Sequence, residues 1–136
     1  MAEKNYSSKI VELGGQVSDF IAAAKMIIMF EESMTLPELR DACVMHTGNS
    51  LTGMIKPGDV YTIGNAEFKI IKVGSEVQKN LINLGHITVK FDGGAGEVLE
   101  GSIHVEEKAI PDIKAGDMIE IYKAVEKKPQ TVLGLV

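Results

Sequence analysis

Val60-Tyr61-Thr62-Ile63-Gly64-Asn65-Ala66-Glu67-Phe68-Lys69-Ile70-Ile71-Lys72-Val73 reads as a β-hairpin, and that reading sets the fold class. Two runs rich in Val, Ile, Tyr and Phe flank Gly64-Asn65, a two-residue loop of the kind that closes antiparallel strands. Outward from the hairpin the chain continues in short strands. Residues 9–13 end at Gly14-Gly15, and residues 25–30 and 43–46 are apolar runs; residues 86–91, 102–105 and 118–125 follow on the other side. Short strands punctuated by Gly predict a mainly β fold, a small closed or partly closed barrel of about seven or eight strands, rather than alternating βαβ units.

Two helical segments interrupt the strands. Ser75-Glu76-Val77-Gln78 has the form of a capping box, Val77, Leu81 and Leu84 share one face, and Gly85 stands where a helix-ending glycine belongs, so a helix is expected near 76–84. Thr35-Leu36-Pro37-Glu38 repeats the signal over a shorter stretch, giving one or two turns near 36–42. Ile55-Lys56-Pro57-Gly58-Asp59 is echoed by Ile113-Lys114-Ala115-Gly116-Asp117, and each leads into an apolar strand; two five-residue matches do not by themselves establish a duplication. Asp92-Gly93-Gly94-Ala95-Gly96 lacks the spacing of a dinucleotide loop and is expected to be a wide hairpin loop.

The 136 residues, 45% of them apolar, are read as a single domain with a core of its own, with residues 127–136 docking as an edge strand or fraying. Trp is absent, so the core must rest on Ile, Val, Leu and the seven Met. Net charge is -5 with both signs interspersed, which leaves no basic stripe to follow a nucleic-acid backbone. One Cys cannot form an internal disulfide, and the N-terminus lacks the order of a secretory signal; a cytoplasmic protein is expected. The apolar stretch from Phe20 to Phe30 is only about half of what a membrane span needs.

His46 is the candidate reactive group. It ends the run Cys43-Val44-Met45 and opens the polar stretch Thr47-Gly48-Asn49-Ser50. Histidine stays largely neutral near pH 7, and a loop of hydroxyls and approachable N–H groups beside it suits a phosphoryl group. A purely structural histidine at a strand end is the competing reading. Alternation puts His86 with Thr88 and Lys90 on one face, opposite Ile87, Val89 and Phe91, and puts His104 with Ser102 and Glu106. Solvated sheet faces account for both. If these faces converge on His46, however, His86, Thr88 and Lys90 would meet phosphoryl oxygens, and His104 and Glu106 would serve there or hold an imidazole N–H. No H-x-H, H-E-x-x-H or C-x-x-C is present, so no metal ligands are assigned, although three scattered histidines leave a His-ligated metal protein as an alternative. Cys43, three residues before His46 and on the opposite strand face, reads as core.

The order Cys43-Val44-Met45-His46, Leu51-Thr52-Gly53-Met54-Ile55-Lys56-Pro57-Gly58, Val73-Gly74-Ser75, Asn80-Leu81, Leu84-Gly85-His86-Ile87-Thr88-Val89-Lys90-Phe91-Asp92-Gly93 and Gly101-Ser102-Ile103-His104-Val105 resembles the glucitol/sorbitol-specific IIA component of the bacterial phosphoenolpyruvate-dependent sugar phosphotransferase system (PTS). The likeness runs through most of the chain and is weakest at its ends. It implies a phosphocarrier with no cofactor, taking a phosphoryl group from phospho-HPr and passing it to the IIB part of a membrane IIB/IIC transporter. The position matching the phosphorylated histidine is His46, with Thr47 and Gly48 beside it. Some members of that family carry a second histidine where this chain has Gly48, a departure that removes an assisting imidazole and leaves the acceptor. Since the group must be passed on, a shallow, exposed imidazole is expected. The alternative from another class is a binding or regulatory module on the same barrel.

Overall fold

A computed structural model describes residues 3–124, in which eight strands close into a mixed barrel. In chain order these are β1 (Lys4–Leu13), β2 (Met26–Glu31), β3 (Val44–Leu51), β4 (Val60–Ile63), β5 (Ala66–Val73), β6 (Ile87–Lys90), β7 (Ser102–Val105) and β8 (Met118–Tyr122). Around the barrel the order is β1-β3-β2-β6-β7-β5-β4-β8, with β8 pairing back onto β1. The β2–β3 and β6–β7 pairs are parallel and the others antiparallel. Helix α1 (Val17–Ala24) links β1 to β2, and α2 (Val77–Leu84) links β5 to β6. The expected tail, 127–136, lies outside the described residues.

The hairpin at 60–73 forms in register, with Val60 opposite Lys69 and Ile63 opposite Ala66. Alternation then sorts the side chains. Ile10, Ile27, Met29, Val44, Ile63, Phe68, Ile70, Ile87, Val89, Ile103 and Ile121 fill the interior, where Phe68 and Phe91 meet edge to face at 4.8 Å between ring centres. A second, smaller apolar cluster, Phe30, Cys43 and Met45, lies on the outer side of β2 and β3.

Four expectations need correcting. The run Thr47-Gly48-Asn49-Ser50 is not a loop: β3 continues through it to Leu51, because β1 itself begins at Lys4 and pairs along its length, with two register shifts absorbing the bend. The segment 92–96 is not a hairpin loop, since β6 and β7 are parallel and their connection must cross back along the barrel. Helix α1 was not expected at all. The capping box of α2 is also not made: the N-cap is Glu76 without a side-chain bond, and Gln78 instead donates to the Gly53 carbonyl at 2.7 Å and accepts from Ile55 N–H at 3.1 Å. Pro37–Ala42 is the expected short helix, in 3₁₀ form, preceded by a 3₁₀ turn at Glu32–Met34.

The echo at 55–59 and 113–117 proves to be one part of a two-fold repeat of the backbone. Lys56 N–H bonds the Asp59 carboxylate as Lys114 N–H bonds that of Asp117. Gly58 N–H donates to Ile70 O, and Gly116 N–H to Ile10 O; Gly14 N–H donates to Cys43 O, and Gly74 N–H to Ser102 O. Strands β1–β4 with α1 thus correspond to β5–β8 with α2. Under this correspondence Ile10 faces His46 across the β1–β3 pair, and Ile70 faces Val105 across the β5–β7 pair.

Candidate functional site

The site is built where α2 ends over one rim of the barrel. Alternation along β3 turns Val44 and His46 inward and Met45 outward, so the imidazole enters the barrel beneath the α2 C-terminus. Its Nε2 lies 2.7 Å from the Gly85 carbonyl oxygen. A carbonyl only accepts, so Nε2 carries the proton and the neutral ring keeps its lone pair on Nδ1. Nδ1 is 3.5 Å from the Tyr6 hydroxyl, which in turn donates to Asn49 Oδ1 at 2.6 Å; Asn49 Nδ2 donates to the Leu81 carbonyl at 2.7 Å. Two carbonyls of the final turn of α2 are therefore engaged by His46 and Asn49, three residues apart on β3.

The ring is covered. His46 is 0% exposed, which corrects the expectation of an open imidazole. Part of that cover is the buried Gly85, which closes α2 with φ +61° and packs its backbone directly on the ring; a Cβ there would fall 2.7 Å from Glu31 Cβ and 3.0 Å from His46 Cε1. Burial pulls the His46 pKa below its ordinary value, with the Gly85 carbonyl and the Glu31 carboxylate pulling the other way. The imidazole is thus neutral at physiological pH, as a phosphoryl acceptor must be.

The other proposed supports do not converge on it. His86 follows Gly85 in the chain, yet its ring turns to the outer face and stacks on Phe30, 4.6 Å between centres, where burial lowers its pKa. Thr88 lies opposite Ser102 and Lys90 opposite His104, farther along the parallel β6–β7 pair. His104 is not on a solvated face: it is fully buried, and its Nδ1 lies 3.0 and 3.2 Å from the two Asp92 carboxylate oxygens. Glu106 accepts from Lys69 N–H rather than serving either ring. Thr47 and Gly48 remain beside His46 on β3 with exposed positions. Among the described residues no group of three or more His, Cys, Asp or Glu is placed to hold a metal. Tyr6 and the carbonyls of Leu81 and Gly85 were not foreseen; Asn49 lies in the polar stretch named beside His46, but its bonds to Tyr6 and Leu81 were not expected. A strand begun at Lys4 would have put Tyr6, Ser8 and Ile10 on the inner face, the one signal available for Tyr6.

The fold repeat does not duplicate the site. Val105 stands where His46 does, Lys25 where Gly85 does, and Ala66, opposite Ile63 as Tyr6 is opposite Ile121, where Tyr6 does.

Comparison with known proteins decides the family. The family model described as "PTS system glucitol/sorbitol-specific IIA component" matches residues 5–120. The chain belongs to that family. Glucitol/sorbitol-specific EIIA components of Shigella flexneri and Escherichia coli (strain K12) are each 29% identical over 121 residues, covering 89% of this chain and 97% of theirs. The crystal structure of a PTS system IIA component from Enterococcus faecalis V583 superposes with a TM-score of 0.74 at 26% identity, covering 87% of this chain and 99% of that one. A IIA component is a phosphocarrier of the sugar phosphotransferase system, and that role comes with membership. No helix among the described residues is long and apolar enough to cross a membrane.

Proposed function

We propose that this IIA component accepts a phosphoryl group from phospho-HPr on His46 and passes it to the IIB part of a glucitol/sorbitol transporter, working in the cytoplasm. The observation that carries the reading is a histidine kept neutral by burial and held by the backbone carbonyl at the end of α2. Phosphoryl transfer between nitrogens passes through a loose, in-line transition state that asks for alignment rather than covalent help. A covered ring adds a step: the α2 terminus or the Tyr6 side must yield before a donor nitrogen lines up behind phosphorus. Docking of the partner supplies the contact free energy for that opening, and reclosure after the donor leaves keeps water away from the N–P bond.

The same covering favours a second reading, a binding module that touches the relay without taking phosphate. One experiment separates the two. Incubation with phosphoenolpyruvate, enzyme I and HPr should place an acid-labile phosphoryl group on the protein, and His46→Ala should abolish it. Labelling that survives His46→Ala refutes the assignment; HPr contact with no label on the unaltered protein leaves the binding module.

A further inference from the structure

We propose that Tyr6, aimed by Asn49, is a positioning residue for phosphoryl transfer at His46, its oxygen holding the Nδ1–H of the ring while Nε2 carries phosphorus. The proposal rests on the phosphocarrier reading above.

Its basis is a chain of hydrogen bonds with a fixed direction. The Leu81 carbonyl can only accept, so the Asn49 atom 2.7 Å from it is the amide nitrogen, and the amide cannot be turned over without setting two acceptors face to face. Asn49 Oδ1 therefore points to Tyr6 and takes its only hydroxyl proton. What Tyr6 presents to His46 Nδ1 is lone pairs. Burial holds the phenol far above its usual titration range, so the group stays a hydroxyl. Gly85 O faces the other nitrogen and also only accepts. The ring thus sits between two acceptors but has one proton to offer, and at rest the closer oxygen, Gly85, receives it.

Phosphorus on one nitrogen leaves the other to carry the N–H and to need the acceptor on its side. The two sides differ in access. Tyr6 is 1% exposed and part of the main core, whereas Nε2 faces the carbonyl of Gly85 at the end of α2, a buried glycine bordered in the last turn by the exposed Ile82 and Asn83. Displacing Gly85 disturbs less than displacing Tyr6, so the donor comes to Nε2. Once Gly85 yields and water reaches the ring, the tautomer exchanges through solvent, water giving Nδ1 a proton as Nε2 gives one up, so the ring stays neutral. The Nε2 lone pair then forms the new N–P bond as the donor's N–P bond breaks, the donor nitrogen keeping the electron pair. Nδ1–H settles on the Tyr6 oxygen. When the group moves on, the ring leaves as a neutral imidazole, which keeps the N–P bond ready for transfer.

The test compares wild type, Tyr6→Phe and Asn49→Ala after urea unfolding has established that each folds. Rapid-quench transfer from phospho-HPr should slow about tenfold in both variants, one hydrogen bond's worth. Long-range ¹⁵N–¹H spectra of the phosphorylated wild type should place phosphorus on Nε2 and the proton on Nδ1. In resting Asn49→Ala, where the Tyr6 proton is free to turn to Nδ1, the Nδ1 resonance should move away from that of an unbonded lone pair. A wild-type transfer rate in Tyr6→Phe, phosphorus on Nδ1, or an unmoved Nδ1 resonance in Asn49→Ala each overturns the proposal. Should wild type itself take no label, the phosphocarrier reading fails separately, and the resting spectra still decide whether Tyr6 is aimed at the ring.

Discussion

Gly85→Ala tests the geometry of the site through stability, with Gly48→Ala as its control. Both glycines have left-handed backbone, φ +61° at Gly85 and +78° at Gly48, so an alanine at either position costs about 1–2 kcal/mol for conformation alone. They differ in what a side chain would meet. At Gly48 nothing lies within 4 Å of a Cβ; at Gly85 the Cβ would stand 2.7 Å from Glu31 Cβ, 2.9 Å from Glu31 N and 3.0 Å from the imidazole. Two of these neighbours belong to β2 and the third is the buried ring, so the backbone must shift, adding about 1–3 kcal/mol of overpacking. Lys25, at the matching position after α1, adopts φ 51° with a full side chain, which shows that the conformation is tolerable where space exists. Gly85→Ala should therefore lose about 2–5 kcal/mol and Gly48→Ala about 1–2. With a urea m-value of about 2 kcal/mol/M, the Gly85 midpoint should fall by about 1–2.5 M and the Gly48 midpoint by about 0.5–1 M. Equal losses in the two variants would mean that the imidazole is not lodged under Gly85, and the account of a covered acceptor would fall with it.

Acid sensitivity should expose the buried rings. His46 and His86 both have pKa values lowered by burial, so the unfolded chain binds protons first, and stability is lost as pH falls below about 6.5 toward the folded values. A His46→Gln/His86→Gln chain should show a flatter stability curve in that window by urea titration, and an unchanged slope would contradict the burial argument. Asp92 should matter at neutral pH: burial opposes its ionisation, but the Gly94 N–H and the His104 ring outweigh this and hold its pKa below the ordinary value. Asp92→Asn should lower Tm by a few degrees at pH 7, with the gap closing as pH drops below the ordinary aspartate range near 3.9; a gap that persists there would assign the loss to packing instead.

The strands were legible in the sequence because alternation and turn residues are local. The hairpin at 60–73 needed nothing beyond its own residues. Helix α1 was not legible: Gln16 makes no cap with its side chain, the helix ends in left-handed Lys25 rather than glycine, and its apolar residues merge with those of β2. Its counterpart α2 could be read because Gly85 marks the end. His46 stood out by residue type and by family register, but its environment did not. Tyr6 arrives from forty positions away in the chain, Gly85 from thirty-nine, and neither contact leaves a local pattern. His104 misled for a related reason. Its polar neighbours suggested solvent, while the crossover after β6, forced by parallel pairing, lays Asp92 over the ring and takes it out of water.

The two-fold repeat also separates scaffold from chemistry. Each half supplies the same strand register, the same helix end and the same inward-facing site, but one half is furnished with histidine, tyrosine and glycine and the other with valine, alanine and lysine. The backbone alone is therefore an insufficient specification of a phosphoryl acceptor, and the molecule carries its own unreactive comparison: any property shared by the two rims belongs to the architecture, and any property confined to one belongs to a few side chains.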